Sequence, residues 1–96
     1  MPREVDAPHY EVRFQAAAHK AIAQRLPEAV AAAVIEFCTG PLAEDPHRVG
    51  KRLFGPLVHC HGARRGSYRV VYQIDDEALV VEVLQVAHRA DVYRSR

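Results

Sequence analysis

The segment SYRVVYQIDDEALVVEVLQVAH, residues 67–88, constrains the fold more than any other part of the chain. Two runs rich in valine, isoleucine and tyrosine flank Asp75, Asp76 and Glu77. Apolar strands joined by so short a polar turn form an antiparallel hairpin. Strand side chains alternate between faces, so Tyr68, Val70, Tyr72 and Ile74 share one face and Arg69, Val71 and Gln73 the other. The first set suits a core. Arg69 must then lie on an uncovered face, because an unpaired guanidinium in a low-dielectric interior costs several kcal/mol, roughly.

Upstream, HYEVRF (9–14) alternates with Tyr10, Val12 and Phe14 on one side, which predicts a half-buried strand. From Gln15 the period changes. Ala18, Ile22 and Leu26 recur every four residues as in an amphipathic helix, until Pro27 interrupts it. Pro27 then opens a second helix, EAVAAAVIEFC, packed through Val30, Val34 and Phe37 and ended by Gly40 and Pro41. Residues 41–52, with two prolines and a glycine, read as a polar loop; 53–61 as an irregular strand; and Gly62 to Gly66 as a turn into the hairpin. The expected architecture is α+β: two N-terminal helices packed on a small, mainly antiparallel sheet.

Ninety-six residues make a single domain, 1–96, and 49% hydrophobic with 26% charged residues is the composition of a globular chain. The opening MPREVDAPHYE has no signal-peptide core, and no stretch approaches the roughly 20 apolar residues needed to span a bilayer, so a cytoplasmic protein without membrane contact is expected. Cys38 and Cys60 are too few for a disulfide framework and read as small buried hydrophobes. His59 and His61 share a strand face, but two histidines supply half of a structural zinc set and no Cys/His pair follows, so no metal site is expected.

The formal net charge of +1 conceals an asymmetry. Residues 1–47 hold 4 Lys/Arg against 7 Asp/Glu, a balance of −3, and residues 48–96 hold 9 against 5, a balance of +4. Local potential rather than net charge governs encounter with a polyanion. In the basic half, antiparallel pairing brings the start of one hairpin strand beside the end of the other. Arg64, Arg65 and Arg69 are thereby expected near His88, Arg89 and Tyr93 of HRADVY. Arginine's planar fork matches phosphate oxygens and an aromatic ring stacks a base, a combination suited to single-stranded nucleic acid. Metal-free RNA cleavage by the RNA's own 2′-hydroxyl needs little more than this. A phosphate-binding module without chemistry would look the same, and Tyr93 would serve equally to pin down the C-terminus.

GSYRVVYQIDD, LVVEVLQVAHR and the closing HRADVY, with GKRLFGPL and a helix pair upstream, resemble the RelE toxins of the RelE/ParE superfamily, the toxic halves of bacterial toxin–antitoxin pairs. The likeness covers almost the whole chain, and the ARRGSYR and HRADVYR forms look most like the actinobacterial branch. The resemblance implies a compact microbial-RNase-like fold and a ribosome-dependent mRNA endonuclease. Such a toxin cuts the codon exposed in the ribosomal A site by 2′-hydroxyl attack, with no metal or other cofactor. It also implies three partners: the small ribosomal subunit, mRNA, and a cognate antitoxin of the RelB-like or Phd/YefM-like kind.

By the same resemblance Arg69 is aimed at the scissile phosphate, Arg89 is the second phosphate-binding arginine and Tyr93 orients or stacks on the mRNA. His88, an imidazole near them in sequence, joins the catalytic set on its chemistry rather than on the resemblance. Arg64, Arg65, Lys51 and His61 are candidate RNA contacts. The chain departs from the family in having Cys60 and Gly62 where the well-known branch carries lysines, one of them a general base. His59, His61 and His88 are the nearby groups that titrate near neutrality. Two other readings stay open: a ParE-like toxin that poisons DNA gyrase without cutting RNA, and a degenerate toxin that only binds its antitoxin.

Overall fold

The computed structural model describes residues 9–88. They form a mixed five-stranded sheet with helices on one face, in agreement with the expected α+β architecture. The strands are β1 (Glu11–Phe14), β2 (Lys51–Arg52), β3 (His61–Arg65), β4 (Tyr68–Asp75) and β5 (Val80–His88), in the order β1-β5-β4-β3-β2. All neighbours are antiparallel except β1 and β5, which run parallel. A parallel pair needs a crossover, and the helices after β1 begin it.

Helix α1 (Ala16–Lys20) continues into a π-helical turn, Ala21–Arg25. The widening has a local cause. Leu26 precedes Pro27, and a residue before proline is driven to extended backbone, here φ −82°, ψ 145°. Its N–H bonds back to the Ala21 carbonyl as the last hydrogen bond of the helix. Helix α2 (Glu28–Thr39) then starts with Glu28 in its first turn, where the macrodipole favours a carboxylate. It buries Val34, Phe37 and Cys38 and stops at Gly40.

Two expectations require correction. The segment 41–52 contains a short helix, α3 (Pro41–Glu44), because Pro41 at its first position loses no hydrogen bond there, and also the edge strand β2. The expected strand across 53–61 and turn across 62–66 are displaced: Gly55–Leu57 is a 3-10 turn, and β3 takes His61–Arg65. The turn is confined to Gly66 and Ser67, where Gly66 at φ +55° adopts a left-handed backbone without a Cβ penalty.

The core joins Ala18, Val34, Phe37, Cys38 and Leu42 to Ala63, Tyr68, Val70, Tyr72, Val81, Val83 and Val86 of the sheet. Each fully buried valine or leucine stabilises the fold by about 1.5–3 kcal/mol relative to exposure. Val83 and Val86 are three apart, so strict alternation would put them on opposite faces. A β-bulge resolves this: Val71 pairs with Gln85 but Tyr72 with Val83, leaving Leu84 as the extra residue. Tyr72 is the largest fully buried side chain, and its hydroxyl donates to the Pro46 carbonyl at 2.6 Å. Burial pushes its pKa up to about 12.

A polar knot closes one end of the sheet. The Asp76 carboxylate accepts from the Tyr10 hydroxyl at 2.6 Å and contacts His47 Nε2 at 2.8 Å, linking β1, the α3–β2 loop and the β4–β5 turn. The hydrogen bonds from Tyr10 and His47 hold Asp76 below the usual carboxylate pKa. The stabilisation is therefore present above the unfolded value of about 3.9 and is lost as pH falls through the depressed folded value. Asp76→Ala should lower the urea midpoint at pH 7, and the difference from wild type should shrink as the pH is taken below about 3.9. A gap that stayed constant down to acid pH would exclude the carboxylate as its source.

Candidate functional site

The register of β3 on β4 sets Arg64 directly opposite Arg69, both exposed on the face away from the helices. Directly opposed strand residues lie about 4.5–5.5 Å apart, and like charges so placed are destabilising by roughly 0.2–1 kcal/mol. Lys51 joins them. It pairs with Gly62, two residues before Arg64, so its side chain belongs to the same face one step along the sheet. Between Pro46 and Ile74 the chain has six Lys/Arg and no Asp or Glu. The acidic groups of this face lie at the far end of the hairpin and on β1: Asp75 of β4, Glu82 of β5, and Glu11, which pairs with Arg13 at 3.2 Å. A cationic row with no carboxylate inside the ladder has its charge available for an anion.

Three expected members of the row are elsewhere. Arg65 follows Arg64 and so faces the helices: its guanidinium lies 4.7 Å from the centre of the Phe37 ring and donates to the carbonyls of Arg64 (3.0 Å) and Val49 (3.3 Å). A cation over an aromatic face contributes about 0.5–1 kcal/mol at an exposed site, which is a structural task. His61 pairs with Tyr72 and stacks on its ring at 5.6 Å, also on the helix side. Burial, His47 and Arg52 lower its pKa, so neutral imidazole is favoured. Its Nδ1 is buried without a hydrogen-bond partner among the described residues. His88 is directly opposite Tyr68, whose side chain is in the core, and is therefore on the helix side as well. Alternation and the bulge decide all three.

His59 is exposed and lines a shallow depression with Arg13, Gln73, Asp75 and Glu82. Gln73 lies four residues along β4 from Arg69, about 13 Å away. None of the three histidines thus sits in the row that holds Arg64 and Arg69. Arg89 and Tyr93 lie outside the described residues. Among the described residues no group of three or more His, Cys, Asp or Glu could hold a metal ion. Burial pushes the Cys38 thiol up to about 12, far from a reactive thiolate. No helix among the described residues is long and apolar enough to cross a membrane.

An exposed aromatic side chain was not anticipated from the sequence. Phe54, in the β2–β3 connection, is 87% exposed beside Lys51 and Arg52. The signal was present as an aromatic next to two cations in GKRLFGPL, but that segment was expected to form a strand.

Comparison with known proteins gives one direction. Residues 6–93 match a family model described as the ParE toxin of the type II toxin–antitoxin system parDE. The chain is 51% identical over 85 residues to Toxin RelE of Mycobacterium tuberculosis, covering 88% of this chain and 87% of that one. It is 48% identical over 85 residues to Toxin RelG of the same organism, covering 88% and 97%. Its fold superposes on a chain of the crystal structure of the RelBE2 toxin–antitoxin complex of M. tuberculosis with a TM-score of 0.81 and 47% identity, covering 86% of this chain and 94% of that one. With its helix pair, its mixed sheet and a match over nearly its whole length, the chain belongs to the RelE/ParE superfamily of type II toxin–antitoxin toxins, as a RelE-like member.

Proposed function

We propose that this chain is a metal-independent endoribonuclease that cuts mRNA in the ribosomal A site and so arrests translation and growth. One observation supports the reading most: Arg64 and Arg69 face each other across two strands with no carboxylate between them, an arrangement that is unfavourable without an anion. A scissile phosphate between them gains two permanently charged forks. The 2′-oxygen attacks phosphorus, the bond to the 5′-oxygen breaks, and the products carry a 2′,3′-cyclic phosphate and a 5′-hydroxyl. The guanidinium groups stabilise charge that grows on the phosphate during the attack, the contribution that lowers the barrier. Lys51 holds the RNA backbone beside the row. Arg89 and Tyr93 take the phosphate-binding and mRNA-orienting roles implied by the family resemblance. In the net reaction one proton leaves the 2′-hydroxyl and one arrives on the 5′-oxygen, and none of His59, His61 and His88 lies in the arginine row.

The partners follow from the same reading: a cognate antitoxin of the RelB kind, by analogy with the RelBE2 complex, and the small ribosomal subunit with its mRNA. The test is end-mapping of a translated mRNA incubated with purified protein, with and without ribosomes. Cuts inside codons only when ribosomes are present are expected. Intact mRNA would overturn the reading and favour the gyrase-directed one, motivated by the ParE description of the matching family model, with DNA cleavage by gyrase as its assay.

A further inference from the structure

Phe54 has more exposure than any other large hydrophobic side chain among the described residues: 87%, against 45% for Ile35. The backbone around it is well tied. Leu53 N–H bonds to the Cys60 carbonyl at 3.0 Å, Cys60 N–H to that of Leu57 at 2.8 Å, and Val58 N–H to that of Gly55 at 3.1 Å. The neighbouring Leu53 packs toward Gly62, whereas the Phe54 ring stays in water, forgoing burial that would stabilise the fold. Three and two residues before it, Lys51 and Arg52 are exposed and make no ion pair with the described residues.

Lys51 lies on the face of Arg64 and Arg69, whereas Arg52, paired with His61, projects to the opposite face, so the edge strand that leads to the ring carries a cation on each side. Arg64 is four residues along β3 from Cys60, which closes the tip, so the ring stands more than about 13 Å from the row. An apolar groove for a protein helix would not need this charge. A ring two residues from Arg52, in a segment (46–74) without Asp or Glu, has the chemistry that stacks an unpaired base and neutralises its phosphates.

We propose that Phe54 is a stacking platform for an unpaired RNA base, with Arg52 on an adjacent phosphate, forming an RNA contact separate from the Arg64–Arg69 row. The proposal rests on RNA being the ligand of this face, but it concerns binding and needs no cleavage. The chain has no tryptophan, so Phe54→Trp installs a single fluorescent reporter at the tip. Titration of that variant with a single-stranded RNA of about 12 nucleotides should quench its emission saturably. Phe54→Leu, which keeps an apolar side chain but loses the stacking face, should raise Kd for the same RNA by about 5- to 150-fold, with an unchanged melting temperature. Unchanged emission, or a Phe54→Leu Kd equal to that of wild type, overturns the platform. So does an emission change produced by the antitoxin protein and not by RNA, which would make the ring a protein contact. The two readings separate cleanly. Quenching without ribosome-dependent cuts keeps the platform and removes the nuclease, whereas codon cleavage with no effect of Phe54→Leu on RNA binding does the reverse.

Discussion

Arg69→Ala is expected to abolish mRNA cleavage in the ribosome assay, lowering the rate by at least about 10²–10³-fold, while the protein melts within a few degrees of wild type. The magnitude is that of removing one preorganised donor aimed at charge developing in the transition state. The sparing of the fold follows from position. Arg69 is exposed between buried Tyr68 and Val70, and it makes no ion pair with the described residues. Truncation even relieves repulsion from Arg64 opposite. Growth arrest on expression should be lost with the cleavage. Equal toxicity of wild type and variant would remove Arg69 from the reaction and, with it, the main support for the nuclease reading. Arg65→Ala provides the contrast. Because its guanidinium lies over Phe37 rather than in the row, its effect should fall on stability before activity.

The largest expected effect on folding comes from Gly50→Ala. A Cβ at Gly50 would meet the Gly62 carbonyl oxygen at 2.8 Å and come closer still to the Tyr72 hydroxyl. The first is backbone of β3, and the second is fixed by its bond to Pro46 inside the core, so neither can yield cheaply. Overpacking of this kind costs about 1–3 kcal/mol, and in a domain of this size each kcal/mol lowers Tm by about 4–8 °C. Thermal unfolding followed by circular dichroism would measure it. An unchanged Tm would mean that the β2 segment moves away from the sheet at little cost. Gly50, the first glycine of GKRLFGPL, is thus held by a close approach rather than by an unusual backbone angle.

The hairpin 67–88, the strand at 11–14 and the second helix were legible because their signals are local. Period-two alternation, a polar turn, and a glycine–proline stop act over a few neighbours each. The turn nevertheless occupies 76–79 rather than 75–77, with Asp75 closing β4 and Leu79 at φ +57°. The strand β3 was not legible. GARR contains a glycine and two arginines, residues that do not favour strands on their own, and it extends because the edge of β4 supplies the ladder. The same is true of the two residues of β2.

For the candidate site, sequence sufficed to put Arg69 on the uncovered face, since its neighbours Tyr68 and Val70 had to be buried. It also sufficed to show that residues 46–74 carry only positive charge. It did not sort Arg64 from Arg65, nor keep His61 and His88 away from the arginine row. Those placements depend on register, which the two-residue turn at Gly66 and Ser67 sets for β3 and the bulge at Leu84 alters for β5. A shift of one residue exchanges the faces of every side chain in a strand, so composition and spacing reveal which groups are available, and the pairing of strands distant in the chain determines which of them meet.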